Sequence, residues 1–288
     1  MNSLRQSAVA GTFYPADPAA LSSMVETLLG VARAERSSLP SPPDVTSPDI
    51  TPNAAVPKAI IAPHAGYAYS GIVAARAYAS LAAARDRIKR VVILGPAHHY
   101  PLKGLALSSA AAFVTPFGQI PCDAKSTEIL SKLPQVQELD AAHSLEHSIE
   151  VQLPFLQKVL DKFTLVALAV GDATTDDISE VLAALWGGRE TLIVISSDLS
   201  HHLPYTEAKN MDTQTQRIIE AMDPALIGRE RACGRVAMRG LLGLARVRRM
   251  RIETVDLCNS GDTSGDKDAV VGYGAWHFYE EDTNGAKT

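Results

Sequence analysis

The chain has 288 residues, of which 46% are hydrophobic and 20% are charged. This composition is typical of a folded globular protein and excludes an intrinsically disordered one. The formal net charge of −5 argues against nucleic acid as the main partner, because phosphate-binding proteins present a basic surface.

The first predicted helix lies within residues 14–34, where Asp17 is placed to cap it and Pro18 occupies its first position. Residues 37–57 then hold six of the chain's 17 prolines and almost no large apolar residues. This segment is typical of a loop or a mobile insertion and not of a separate domain.

From residue 58 onward, predicted strands and helices alternate. The strands are 58–64, 90–96, 163–171, 190–198, 251–260 and 269–279, and the helices are 70–86, 144–162 (which Pro154 bends or splits), 175–187 and two or three within 206–246. Several strands are continuously apolar, as parallel strands buried on both faces are. We therefore predict one α/β domain over 1–288, with a mostly parallel central sheet flanked by helices.

Histidines collect after the predicted strands, and open α/β sheets bind their ligands at the carboxyl ends of strands. The histidines concerned are His64, His98, His99, His201 and His202. One histidine in a turn is common, but five at three strand ends indicate a shared site, provided that the sheet forms as predicted.

A metal site is the chemistry that this pattern favours. His64 and His98 follow adjacent strands of one βαβ unit, and neutral imidazoles are good ligands for Zn, Fe, Cu or Ni. Asp262, in the Gly-rich segment NSGDTSGD, is the best carboxylate to join them. Two histidines with one carboxylate are used by non-haem Fe(II) enzymes, and zinc with an activated water fits the same ligands.

His201 is the candidate general acid or base, since an imidazole exchanges protons near pH 7. Asp198 lies three residues earlier and is expected to orient it.

Further polar residues are expected around the pocket. His99 would line it, and Glu146, His147 and Glu150 lie close together on one predicted helix. They are either pocket residues or part of a solvated polar face.

Other catalytic motifs are missing from the sequence. There is no GxGxxG after a strand, no P-loop lysine and no GxSxG nucleophile elbow. The three cysteines form neither a disulfide framework nor a CxxC pair. Cys122 and Cys233 stand in no motif, so we expect no catalytic role for either, and Cys258 is expected to pack in the core or near the site.

Several longer motifs resemble the Memo family, whose bacterial and archaeal members are called AmmeMemoRadiSam system protein B. In chain order they are VAGTFYPADP, IIAPHAGYAYSG, ILGPAHHYPLKGLALSS, LEHSIEVQLPFL, SSDLSHHLPY and NSGDTSGD with VVGYGAW. The resemblance implies a fold similar to class III extradiol dioxygenases, with His64 and His98 as iron ligands and His201 as the acid/base histidine. It also implies an AMMECR-type protein and a radical SAM enzyme as candidate partners.

The third ligand departs from the family pattern. Some Memo members use a cysteine there, and counting back from GYGAW places that position at Thr263, with Cys258 five residues upstream. Asp262 is our substitute, and it would restore a carboxylate as in the dioxygenases.

Three functions remain open, because a shared fold does not carry an activity with it. The first is an oxidoreductase that uses Fe(II), with Zn or Cu as alternatives, on a small aromatic or phenolic substrate. The second is a non-catalytic binding or scaffold protein that uses the same pocket for a peptide or partner protein. The third is a zinc hydrolase.

The expected location is the cytoplasm. The N-terminal residues MNSLRQSAVAG lack the apolar core of a signal peptide, and no apolar run approaches the roughly 20 residues of a membrane helix. We therefore expect no membrane partner.

Overall fold

A computed structural model describes residues 3–38, 56–263 and 265–281. The proline-rich insertion predicted at 37–57 falls almost wholly outside the described residues, since 39–55 are not among them.

Twelve strands are described in two sheets. They are β1 (Leu4–Arg5), β2 (Ala59–Ala62), β3 (Arg90–Pro96), β4 (Leu105–Leu107), β5 (Ala112–Thr115), β6 (Gly118–Pro121), β7 (Val136–Glu138), β8 (Thr164–Val170), β9 (Thr191–Ser196), β10 (His201–Leu203), β11 (Arg251–Asn259) and β12 (Val270–Tyr279). The large sheet has the order β10-β12-β2-β9-β3-β8-β4-β7, with β11 paired to β12. A small sheet, β1-β5-β6, was not predicted from the sequence.

The centre of the large sheet is parallel, and its outer parts are largely antiparallel. Strands β2, β9, β3 and β8 run parallel to one another, whereas β12 joins β2 and β4 joins β8 in antiparallel register. The connection from β11 to β12 is too short for the crossover that parallel neighbours need, so these two strands pair as a hairpin. The predicted α/β fold with a large central sheet flanked by helices is confirmed.

Nine α-helices are described, and they cover both faces of the sheet. They are α1 (Pro18–Ser38), α2 (Tyr67–Ala79), α3 (Ala124–Leu130), α4 (Ala141–Ser144), α5 (Leu153–Val159), α6 (Thr175–Leu185), α7 (Tyr205–Glu220), α8 (Arg235–Val247) and α9 (Ser260–Thr263). None of these helices, within the described part of the chain, has the length and apolar character needed to span a membrane.

Alternate side chains of the central strands point into two different hydrophobic cores. Ile60 packs with residues of α1, α2 and α5, whereas its neighbour Ile61 packs with residues of α6 and α8. Because both faces are covered, the parallel strands contain almost no polar residues, as the sequence indicated.

The segment predicted as one helix over 144–162 is divided into shorter pieces. Helix α4 ends at Ser144, a 3-10 turn covers Glu150–Gln152, and α5 follows with Pro154 in its first turn. Pro154 thus lies at the start of α5, whereas the main interruption of the predicted helix lies upstream of it, between α4 and the 3-10 turn. The irregular stretch between α4 and the turn carries Glu146 and His147 to the edge of the sheet at which β2, β9 and β3 end.

Candidate metal centre

Three neighbouring parallel strands bring polar side chains to one edge of the sheet. His64 lies two residues after β2, His98 two residues after β3, and Asp198 two residues after β9. Because β2, β9 and β3 are adjacent and parallel, their carboxyl ends meet at the same edge. The prediction that His64 and His98 follow adjacent strands is wrong, because β9 lies between β2 and β3, but the predicted shared edge at the carboxyl ends of the parallel strands is present.

Three imidazoles form a cluster at this edge. One nitrogen from each of His64, His98 and His147 lies within 4.8 Å of the other two. The ring centroids are 5.3 Å apart for His64 and His98, 5.5 Å for His64 and His147, and 4.9 Å for His98 and His147. Since metal–imidazole bonds are about 2.0–2.1 Å long, small side-chain movements would bring all three nitrogens onto one ion.

Hydrogen bonds fix the tautomer of His64. The hydroxyl of Ser196 donates its one hydrogen to the carbonyl of Ser148 at 2.6 Å, so the same oxygen can only accept from Nδ1 of His64 at 2.8 Å. Gln152 donates to this oxygen as well, through Nε2 at 2.8 Å. His64 therefore carries its hydrogen on Nδ1, and Nε2 keeps the lone pair that a metal would use.

His98 is oriented by a carboxylate. Its Nδ1 donates to Oε1 of Glu146 at 3.0 Å, which leaves Nε2 free. The backbone N–H groups of His98, His147 and Ser148 donate to the same carboxylate. Burial alone would raise the pKa of Glu146, but the hydrogen bonds from His98 and Ser148 outweigh burial and leave the pKa well below its usual value.

His147 stands third in the cluster, a residue that the sequence analysis assigned only to the pocket. Its ring stacks on that of His98 and contacts Phe13 at a centroid distance of 4.8 Å. Burial lowers the pKa of His64 to about 3 and that of His147 to about 4, and the neighbouring imidazoles add to both effects. Both rings are thus neutral at pH 7, which is the form that binds metals.

A cavity of about 400 Å³ lies beside the cluster. It is lined by His98, His201, Leu203, Met211, Arg229, Glu230 and Cys233. His201 donates from Nδ1 to the carbonyl of Leu199 at 2.7 Å, so its Nε2 is left to accept a proton.

Asp198 does not orient His201 as the sequence analysis expected. Its Oδ1 accepts the backbone N–H of His64 at 2.8 Å, and its Oδ2 lies 4.0 Å from Nε2 of His64. The partner of His201 Nδ1 is a backbone carbonyl instead. Asp198 is therefore a neighbour of His64, and burial raises the pKa of its carboxyl group.

Asp262 and Thr263 are exposed and do not belong to the histidine cluster. Ser260–Thr263 of the Gly-rich segment form α9, in which Asp262 accepts from the hydroxyl of Tyr205 at 2.7 Å and from the N–H of Asn259 at 3.0 Å. Thr263 donates to the carbonyl of Ser260. These local bonds hold the loop together, and His147 takes the third position that the sequence analysis gave to Asp262.

The remaining predicted pocket residues have different surroundings. His99 lies near the cluster, with its ring 5.9 Å from that of His147. Glu150 is fully buried, pairs with Arg5 and accepts from the hydroxyl of Tyr14, so it fastens the N-terminal segment and does not line the pocket. Cys258 packs against the hydrophobic core, as expected.

Cys233 is the site residue that the sequence analysis missed. Its Sγ lies 3.3 Å from Nε2 of His64, although the two residues are 169 positions apart. No motif surrounds Cys233, and only the packing of the segment before α8 brings it here. Burial, followed by the charge of Asp198, raises the pKa of the thiol to about 12, which makes it a poor nucleophile.

Comparison with known proteins agrees with the resemblance seen in the motifs. A family model described as Memo-like protein matches residues 5–277. The MEMO1 family protein of Aquifex aeolicus (strain VF5) is 32% identical over 296 residues, covering 94% of this chain and 97% of the relative. That of Methanopyrus kandleri is 35% identical over 290 residues, covering 95% and 98%.

Among solved structures, an uncharacterized protein from Escherichia coli K12 aligns with a TM-score of 0.47 and 13% identity, covering 76% of this chain and 98% of that one. The family match and the relatives each span nearly the whole length of the sequence. The chain therefore belongs to the Memo-like protein family.

Proposed function

We propose that this chain binds one non-haem Fe(II) ion through His64, His98 and His147 and acts as an oxidoreductase on a small aromatic or phenolic substrate. The observation that carries the proposal is the cluster itself, in which three imidazole nitrogens lie within 4.8 Å of one another. Two of the rings bond through Nδ1 to an oxygen acceptor, which is the arrangement that presents Nε2 to a metal.

The donor set fits the ion. Neutral imidazole is a good ligand for iron, and the carboxylate of Glu146 behind His98 is the kind of outer partner that metal sites use. Bound iron would supply Lewis-acid and redox chemistry at its open coordination positions.

The cavity suits an aromatic substrate with a hydroxyl group. Leu203 and Met211 provide apolar surface against which a ring can pack, and Arg229 adds a positive charge. His201 faces the same cavity with Nε2 unprotonated in the neutral state. It would accept the proton of a phenolic hydroxyl and later return it.

The test begins with metal content. Anaerobically purified protein should contain one iron per chain by elemental analysis, and His64→Ala and His98→Ala should each lose it. His202→Asn is the matched control, because His202 lies next to His201 outside the cluster and asparagine tolerates its left-handed backbone (φ 57°). A wild-type protein that binds neither iron nor another transition metal through these histidines would end the proposal.

The second part of the test separates a catalyst from a binding protein. Iron-loaded protein would be assayed for oxygen consumption with a panel of catechols and phenols. His201→Gln should retain its iron and lose turnover, because glutamine cannot exchange a proton. Loss of turnover in His201→Gln without loss of iron supports catalysis. The scaffold alternative is favoured if the iron-loaded wild type is inactive across the panel and the His201→Gln variant still binds peptide as the wild type does.

A further inference from the structure

One peptide group lies between the imidazole of His201 and a buried carboxylate. Nδ1 of His201 donates to the carbonyl of Leu199 at 2.7 Å. The N–H of the same peptide group belongs to Ser200, and it donates to Oδ1 of Asp212 at 3.1 Å. Because a peptide group is planar and rigid, it joins the carboxylate at one end to the imidazole at the other.

Asp212 holds Ser200 with both of its oxygens. Oδ2 accepts the hydroxyl of Ser200 at 3.0 Å, in addition to the bond between Oδ1 and the N–H. Asp212 lies on α7 and is only 2% exposed, next to Met211, which lines the same cavity as His201. Burial raises the pKa of Asp212 to about 6, so the carboxyl group is still mainly ionised at pH 7. A neutral side chain would fill this place without the cost of burying a charge.

The start of β12 leaves room for this carboxylate and fixes the chain on both sides of the peptide group. A Cβ added to Gly272 would overlap Oδ2 of Asp212. The N–H of Gly272 donates to the carbonyl of Ser200 at 2.8 Å, and its carbonyl accepts the N–H of Leu199 at 2.8 Å. The peptide group between Leu199 and Ser200 is therefore held firmly, and its own C=O and N–H are used by His201 and Asp212.

We propose that Asp212 is the positioning residue of His201 and acts through the peptide group between Leu199 and Ser200. The negative charge at the N–H end makes the carbonyl at the other end a stronger acceptor, because hydrogen bonds in a chain polarise one another. This acceptor keeps the hydrogen of His201 on Nδ1 and leaves Nε2 free to accept a proton in the cavity. The inference rests on the acid/base role proposed for His201, and it gives Asp212 the orienting task that the sequence analysis assigned to Asp198.

The tautomer of His201 tests the inference without metal or substrate. Two-bond 1H–15N correlation spectra of metal-free, full-length protein labelled with 15N-histidine show which ring nitrogen carries the hydrogen. They would be recorded at pH 8, where a histidine with an ordinary pKa is neutral, and His201→Gln would identify the signal. The wild type should carry the hydrogen on Nδ1. An imidazole in water favours the hydrogen on Nε2, so the Nδ1 form is the signature of the bond to Leu199.

Three variants separate the charge of Asp212 from its surroundings. Asp212→Asn keeps the shape of the side chain without its charge, and Asp212→Ala removes both, so each should shift His201 towards the Nε2 form. Ser200→Ala is the matched control, because it removes the hydroxyl bond to Oδ2 and keeps the N–H bond to Oδ1. It should retain the wild-type tautomer. Backbone 1H–15N spectra check that each variant is folded, and Asp212→Asn carries the test if Asp212→Ala is not.

Kinetics of the iron-loaded protein give a second readout. Asp212→Asn should lower kcat and leave KM nearly unchanged, because the substrate still binds while Nε2 of His201 becomes a poorer base. The loss should be smaller than the roughly 10²–10⁴-fold that general acid–base catalysis contributes, since the base itself is still present. A merely structural defect would instead change kcat and KM together with the melting temperature.

The possible outcomes separate this inference from the proposed function. A wild-type His201 with its hydrogen on Nε2 overturns the inference, and so does the wild-type tautomer in folded Asp212→Asn. A shift in Ser200→Ala as large as that in Asp212→Asn overturns it as well, whereas a shift in the Asp212 variants alone supports it. Iron-loaded wild type without turnover overturns the proposed function, and the tautomer then still decides what positions His201.

Discussion

Glu146 accepts two hydrogen bonds from His98, one from Nδ1 of the ring at 3.0 Å and one from the backbone N–H at 2.5 Å. The carboxylate thereby fixes both the position of the residue and the orientation of its ring. Because Glu146 also accepts the N–H groups of His147 and Ser148, one side chain organises two of the three imidazoles in the cluster.

Replacing Glu146 with glutamine should weaken zinc binding by about 10–100-fold. Glutamine lacks the negative charge that makes the imidazole of His98 a stronger electron-pair donor to a metal. Its NH2 group also cannot accept the hydrogen bonds that the carboxylate accepts. A competition titration against a chelator measures the change. Glu138→Gln, at an exposed position on β7, is the control and should bind zinc as the wild type does. Equal affinities in the two variants would contradict an orienting role for Glu146.

Two single variants decide which residue is the third ligand. His147→Ala should lower metal affinity by at least 100-fold, more than an outer partner contributes, because it removes a donor from the cluster. Asp262→Ala should leave the affinity unchanged, because the bonds of Asp262 are to Tyr205 and Asn259. The same chelator competition gives both values. The opposite ranking would restore Asp262 as a ligand and remove His147.

The central strands and two of the three histidines could be predicted from the sequence, because both depend on local patterns. Buried parallel strands are continuously apolar, and a residue that follows such a strand must lie at its carboxyl end. His64 and His98 satisfy this rule, and the side-by-side order of β2, β9 and β3 brings them to the same edge of the sheet.

His147 and Cys233 could not be found in the same way. Both lie on segments whose position is decided by packing between parts of the chain that are distant in sequence. His147 belongs to an irregular stretch where the periodicity predicted helix, and the contact of Cys233 with His64 spans 169 positions. A single chain carries no local signal for either contact.

The position of the stretch that holds Glu146 and His147 depends on one glycine. Gly95 lies in β3, and a Cβ added there would stand 2.5 Å from Oγ of Ser148 and 3.1 Å from Cγ1 of Ile149. Glycine at this position lets the segment that holds Glu146 and His147 lie directly on the strand. Ser148 also donates to the carbonyl of Pro96 at 2.9 Å, which fastens the segment to the strand end.

Gly95→Ala should therefore lower both stability and metal affinity. The added methyl group overpacks the contact with Ser148, which typically costs about 1–3 kcal/mol of unfolding free energy, and it pushes Glu146 and His147 away from His98. Gly30→Ala is the matched control, because nothing lies within 4 Å of a Cβ there and alanine favours the interior of α1. Urea unfolding and zinc titration of both variants check the prediction, and a Gly95→Ala protein with unchanged values in both would refute it.

His277, which does not belong to the cluster, makes the stability of the folded protein depend on pH. It is fully buried on β12, and its Nε2 donates to the carbonyl of Ala77 at 2.9 Å. Burial lowers its pKa from 6.5 to about 4 in the folded protein. The unfolded chain therefore binds more protons than the folded one between these two values, so stability falls as the pH is lowered from 6.5 towards 4.

His277→Gln should make the stability of the protein less sensitive to acid. The glutamine amide can still donate to the carbonyl of Ala77, but it does not titrate. The shift of the His277 pKa to about 4 costs the wild type roughly 2–3 kcal/mol of unfolding free energy between pH 7 and pH 4.5, and the variant avoids this loss. Urea unfolding at both pH values measures it, and comparing the two proteins cancels the contributions of the other buried histidines. The variant is expected to be less stable than the wild type at pH 7, because the imidazole packs better, and to lose less on acidification. If both proteins lose the same free energy between the two pH values, His277 is not buried in the neutral form and the prediction fails.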